Sequence, residues 1–254
     1  MTDKSIVGEL VKSVIQQEST GGGGEDFIPE IIAVNQGVYD IDTSMTLAYP
    51  SEAQIGDLIV LVGFLRGSLV APTTGWTSLV QSTESGTGSV GTTLHVLHRF
   101  YNGSDVDVTF EGSTSDRMSV CMAVIRGENL TISTPVVQDA PQKVAEQHEY
   151  IMPSVINNSG SARLCIQALT NAYTSNNTNA TICTGTIGGV GTTNIHRPIT
   201  SSYLSSFSHC RLAAIGFRVE AGEQKEAELD FFSVNLRTAP TLPHCYFFVG
   251  ADAP

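Results

Sequence analysis

GDLIVLVGFLRG (Gly56–Gly67), GWTSLV (Gly75–Val80), TTLHVLHRFY (Thr92–Tyr101), DVDVTF (Asp105–Phe110) and RMSVCMAVIRG (Arg117–Gly127) follow one another in the first half of the chain. Four of these five runs are dominated by β-branched, aromatic and aliphatic residues, and Gly, Ser, Asn or Asp clusters separate them. Short apolar runs between turn residues are the pattern of an all-β sandwich or barrel. In DVDVTF, Val106, Val108 and Phe110 fall on one side and Asp105, Asp107 and Thr109 on the other, because side chains alternate across a strand. Met118, Val120, Met122 and Val124 share a face in the same way. Leu58 to Leu65 is apolar in both registers, which predicts a central strand covered on both sides.

Working outward, Ile31, Ile32 and Val34 predict a first strand, and Thr46 to Tyr49 a short second one ended by Pro50. Beyond Gly127, residues 128–148 read as a long connection with an edge strand at Pro135 to Gln138. Strands are expected at Tyr150 to Ile156, Arg163 to Thr170, His209 to Val219, Glu226 to Val234 and His244 to Val249. Weaker ones are expected at Thr181 to Ile187, Thr193 to Arg197 and Tyr203 to Phe207. Asn171 to Asn179 reads as a polar loop. The predicted architecture is a single large antiparallel β-sandwich over residues 27–254.

Two segments precede it. Over residues 1–18, Ile6, Val7, Leu10, Val11, Val14 and Ile15 recur at helical spacing and form one apolar stripe. Such a helix is about 20–25 Å long at 1.5 Å per residue and is marginal alone in water, so the stripe needs a partner. Residues 19–26 contain four consecutive glycines, Gly21 to Gly24, a flexible tether. A helix on a tether is expected to dock on another protein or to self-associate; the plainer alternative is that it folds back on its own sandwich.

Composition narrows the function classes. The chain has 254 residues, 41% of them hydrophobic, only 15% charged, and a net charge of −12. With no basic stripe it is not expected to bind nucleic acid, since phosphate recognition needs Lys and Arg clusters. No run is long enough to span a membrane as a helix. Met1 to Ser13 lacks the apolar core and cleavage site of a signal peptide, so synthesis in a cytosol is expected. Four of the five cysteines lie in apolar runs and no Cys-x-x-Cys occurs, so no metal is expected.

The chemistry-bearing candidates are few. Gly86 to Gly91 (GTGSVG) matches a dinucleotide fingerprint but precedes a strand instead of opening a helix, so no cofactor is expected. His95 and His98, three apart in a strand, face opposite ways and do not chelate together. Asp105 and Asp107 share a face and read as a solvated surface more readily than as a calcium site. Trp76, the sole tryptophan, reads as a core or corner residue or as a stacking platform for a sugar. Asn171 and Tyr173 head the polar loop that would best meet sugar hydroxyls. No Gly-x-Ser-x-Gly, His-Glu-x-x-His or phosphate-loop pattern occurs, so no catalytic residue is assigned.

The order GDLIVLV, PTTGWT (Pro72–Thr77), LHVLHRFY, VDVTF, VIRG resembles a family of β-sandwich domains, jelly-roll or concanavalin-like, found in virion proteins of tailed bacteriophages. Its pattern runs G-D-L-L-V, P-x-G-W-T, an aromatic-basic strand, a T-F strand and a strand ending in R-G, and it covers roughly Ile28 to Gly250. The resemblance implies a jelly-roll-like module on a virion: a capsid decoration, head fibre or tail appendage, without enzymatic activity. It brings no catalytic residues. Other virion proteins are the expected partners through the helix, and a homo-oligomer, most simply a trimer, is expected from particle symmetry. The alternative is a glycan-binding attachment module for host surface polysaccharide; a glycan-cleaving enzyme ranks third.

Overall fold

The computed structural model describes residues 29–66, 69–70, 74–84, 92–104, 107–141, 149–151, 154–173, 183–187, 195–202, 209–225, 227–231 and 241–251. The helical stripe and tether, the GTGSVG segment and Tyr203 to Phe207 lie outside these residues. The described chain is all-β. In order it forms β1 (Glu30–Ala48), β2 (Leu58–Arg66), β3 (Leu69–Val70), β4 (Thr77–Glu84), β5 (Thr92–Phe100), β6 (Asp107–Arg126), β7 (Leu130–Ile132), β8 (Val136–Pro141) and β9 (Glu149–Ile151). The second half adds β10 (Val155–Ile156), β11 (Arg163–Tyr173), β12 (Cys183–Ile187), β13 (Ile195–Ser202), β14 (His209–Val219), β15 (Gln224–Lys225), β16 (Ala227–Phe231) and β17 (Thr241–Ala251).

Two larger antiparallel sheets face each other. The first has the order β1-β6-β2-β5-β4, with β3 on β6; the second has β13-β14-β11-β17-β7, with β8 also on β17. Leu58, Val60, Val62, Leu94, Val96, Cys121, Ala123 and Ile125 of the first sheet pack on Leu164, Ile166, Ala168, Ala214, Cys245, Phe247 and Val249 of the second. Gly216 marks a close approach between them: a Cβ there would collide with Ile31 and lie 3.1 Å from Ile166 Cδ1. On the edge strand β13 the register shifts between His196 and Pro198, where a residue without an N–H is tolerated.

The two short first strands expected from the sequence are one strand, β1, and the DVDVTF and RMSVCMAVIRG runs are one strand, β6. They pair along their whole length, with register shifts at Tyr39/Asp42 and Asp42/Ser44. At those shifts the two-stranded ribbon turns back over its own sheet. The Asn35 side chain donates to the carbonyl of Ala48, 13 residues on in the same strand, at 2.7 Å; a straight strand would hold them about 43 Å apart. Met45, Leu47, Val108 and Phe110 on the returning arm therefore pack on Ala33, Ile59, Leu61, Leu97, Val120, Met122 and Val124 of the first sheet. The second apolar face of β2 is covered by its own chain, so the layers are second sheet, first sheet and flap.

Part of the outer face of the second sheet is buried as well. Cys165, Gln167, Ile215, Phe217 and His244 lie on the face opposite the inter-sheet core by register, and all are buried within the single chain. Burial keeps the Cys121, Cys165 and Cys245 thiols protonated, with Cys245 pushed up to about 12.

His244 makes the fold sensitive to acid. It is 0% exposed and neither ring nitrogen has a hydrogen-bond partner. Burial lowers its pKa from 6.5 to about 4, so the native ring is neutral. The unfolded state binds the extra proton between pH 6.5 and about 4. Stability is therefore full above pH 6.5 and falls as pH drops through that window, by about 3 kcal/mol from this group. Burial lowers His95 and His98 in the same direction. Urea midpoints at pH 7 and pH 4.5 should differ less in His244→Phe than in the natural chain; an unchanged difference contradicts the assignment.

Candidate functional site

The residues that carry the sequence pattern meet at one end of the first sheet. Asp57, 4% exposed, heads β2, and Arg126 ends β6 one strand away. Arg126 Nε donates to Asp57 Oδ1 at 2.9 Å and Nη2 to Oδ2 at 2.8 Å, a two-pronged ion pair that fixes geometry as well as charge. Arg126 Nη2 also donates to the Glu52 carbonyl, and the Gln54 N–H to Asp57 Oδ2 at 2.7 Å. Backbone bonds from Gly56 N–H to the Tyr101 carbonyl and from Tyr101 N–H to the Asp57 carbonyl tie in the next turn. Gly56 is at φ 95°, a left-handed conformation that favours glycine. The carboxylate raises the Arg126 pKa further, chiefly through the side-chain hydrogen bond.

Trp76 belongs to the same end, immediately before β4. It packs against the flap-side core beside Tyr49 and Tyr101, whose rings stack at 4.9 Å, and the Arg99 guanidinium lies over its ring at 5.4 Å. Arg99 thus lies over one face of a half-buried indole. Gly75, at φ 76°, lets the chain pass beneath Arg99.

Asn171 and Tyr173 are strand residues, not loop residues as their polar setting suggests. β11 continues through both, paired Asn171 to Arg211 and Tyr173 to His209. Their polar surroundings read as a loop, but the ladder from β14 sets the strand's length; residues 174–180 lie outside the described chain. His95 and His98 face opposite sides of the sheet, as their spacing requires, with His95 Nε2 3.0 Å from Ser78 Oγ. Asp107 is exposed, and Asp105 lies outside the described residues. Among the described residues no three His, Cys, Asp or Glu side chains gather to hold a metal.

The structure adds a site that the sequence reading missed. An open groove of about 380 Å³ is lined by Ser133, Thr134, Val136, Ile156, Asn157, Asn158, Ser159, Arg163, Tyr246 and Phe248, within the range of small-ligand sites. It runs along the outer face of β17 where that strand changes partner from β7 to β8. The Ser133 N–H donates to the Phe248 carbonyl and the Phe248 N–H to Ser133 Oγ, both at 2.9 Å, so Ser133 bridges the change of partner. Asn157 anchors the opposite wall. Its Nδ2 donates to the carbonyls of Ser161 and Val219, and its Oδ1 accepts from the N–H and hydroxyl of Ser159.

His244, Tyr246 and Phe248 form an aromatic ladder on this face, with centroids 6.1 Å apart at each step. Gly250 follows, and the Arg163 side chain lies across it: a Cβ on Gly250 would sit 3.0 Å from Arg163 Nε and 3.2 Å from Cζ. Arg163 Nε is buried and has no hydrogen-bond partner. Burial pushes the Tyr246 phenol up, so the hydroxyl remains a donor at neutral pH. The signal in the sequence was the period-two aromatic run His244, Tyr246, Phe248 ending at Gly250.

No protein-family model, curated protein or solved structure matches this chain. Its functional reading rests on the two arrangements just described, the clasp and the groove.

Proposed function

We propose that the chain is a non-enzymatic structural protein of a tailed-phage virion, a capsid decoration, head fibre or tail appendage. Its jelly-roll-like sandwich is the displayed module, and residues 1–18 form the helix that anchors or oligomerises it. The observation that carries this reading is the Asp57–Arg126 clasp. The first and last elements of the family pattern, G-D and R-G, form one buried-carboxylate ion pair, and its Trp and basic strand form another contact, Trp76 with Arg99. A pattern whose separated parts join in space acts as a fold signature. The flap over the second face of the first sheet supports the division of labour: that face needs no neighbour to cover it, which leaves assembly to the apolar stripe Ile6 to Ile15. Virions purified from the producing host should contain the chain at a fixed copy number, and a chain starting at Glu25 should be missing from them. Absence of the full chain, or equal incorporation of the short one, would overturn the proposal.

A second reading, attachment to host surface glycan, is favoured by the groove, which combines aromatic walls with an unpaired guanidinium. An appendage can serve both roles.

A further inference from the structure

We propose that the groove on the outer face of β17 binds a saccharide ring bearing a carboxylate, with Arg163 as the carboxylate ligand. The proposal rests on the glycan-attachment reading and gives it a site and a substrate class. Arg163 is the deciding residue. No ion pair among the described residues involves it, whereas the neighbouring charges are matched: Arg218 with Glu220 and Lys225 with Glu223. A buried donor on a cation without a partner is costly and uncommon in a folded chain. The Arg163 side chain lies across Gly250 and lines the groove, and a guanidinium takes a carboxylate through two parallel hydrogen bonds.

The rest of the lining selects a sugar over a bare anion. Tyr246 and Phe248 line the groove on the same face as Arg163, and Val136 and Ile156, both exposed, form apolar rims suited to C–H edges. Asn158, Thr134 and the Tyr246 hydroxyl supply polar groups that fix orientation. A phosphate is the poorer match. The lining holds one cation, and a chain of net charge −12 penalises a dianion more than a monoanion.

The test is titration calorimetry on the full chain with three probes: a galacturonic acid trisaccharide, the galactose trisaccharide of the same linkage, and acetate. The uronic trisaccharide should bind at least tenfold more tightly than either other probe. Arg163→Ala should weaken it at least tenfold while leaving the neutral sugar unchanged, with Arg163→Lys in between. Gly250→Ala, which displaces the guanidinium without removing it, should weaken it too, and Tyr246→Ala should weaken both sugars. Thermal unfolding of each variant separates lost binding from lost fold. Uronic binding unchanged in Arg163→Ala and Gly250→Ala would overturn the site. Tighter binding of the neutral sugar, still lost in Tyr246→Ala, would overturn the carboxylate assignment and keep the glycan reading. Equal binding of acetate, or no binding of either sugar, would overturn both.

Discussion

Arg126→Ala is expected to lower stability by about 3 kcal/mol. The figure is the low end of the range for breaking a buried pair by removing one partner. The low end applies because the pair is one-sided: the Asp57 side chain is 4% exposed and the Arg126 side chain 38%. What remains after the change is a buried carboxylate with the Gln54 N–H as its described donor, at the turn where β2, β5 and β6 converge. Replacing both partners together, Asp57→Leu with Arg126→Met, should recover much of the loss, because the cost lies in an uncompensated charge more than in a missing attraction. Urea unfolding of the single and double variants checks this. A loss under 1 kcal/mol for Arg126→Ala would reduce the clasp to an ordinary surface ion pair and remove the physical reason for the G-D and R-G pattern.

Phe110→Ala should cost about 3–5 kcal/mol. Phe110 is 0% exposed and, with Met45, Leu47 and Val108, forms the flap's apolar side against the second face of the first sheet. Truncation leaves a cavity where the arm presses on that face, so the flap should loosen first. Hydrogen exchange at Asp107 to Phe110 should quicken more than at Leu58 to Val62, which stay paired on both edges within the sheet. A control on the flap's outer side is Thr46→Ala. It removes an exposed cross-strand hydroxyl contact with Thr109 at 2.9 Å and should cost under about 1 kcal/mol. A small effect of Phe110→Ala would mean that the ribbon does not fold back as described.

These residues also show what the sequence discloses. That β2 is buried twice was legible, because Leu58 to Leu65 has no polar register at all. What covers its second face was not. The bend lies in residues 36–43, where Gly37, Asp40 and Asp42 interrupt the apolar pattern, while the length of β1 is imposed by pairing with β6. Asp57 and Arg126 stood out as parts of a pattern, but their contact spans 69 positions and no local period announces it. The groove was less legible still. Arg163 and Tyr246 are ordinary strand residues until β11 and β17 are placed side by side, and the want of a partner for Arg163 is a property of space alone. Trp76 attracted attention by rarity, while its contact with Arg99 appears only once β4 and β5 are paired.

In the proposed assembly the sandwich folds by itself and association belongs to the segment before it. Light scattering on the full chain and on a chain starting at Glu25 measures this directly. The expected result is a full-length trimer, three times the 27.0 kDa chain mass, and a folded monomer after truncation. The same oligomer from both chains would contradict it, placing the interface on the sandwich and freeing the apolar stripe Ile6 to Ile15 from that role.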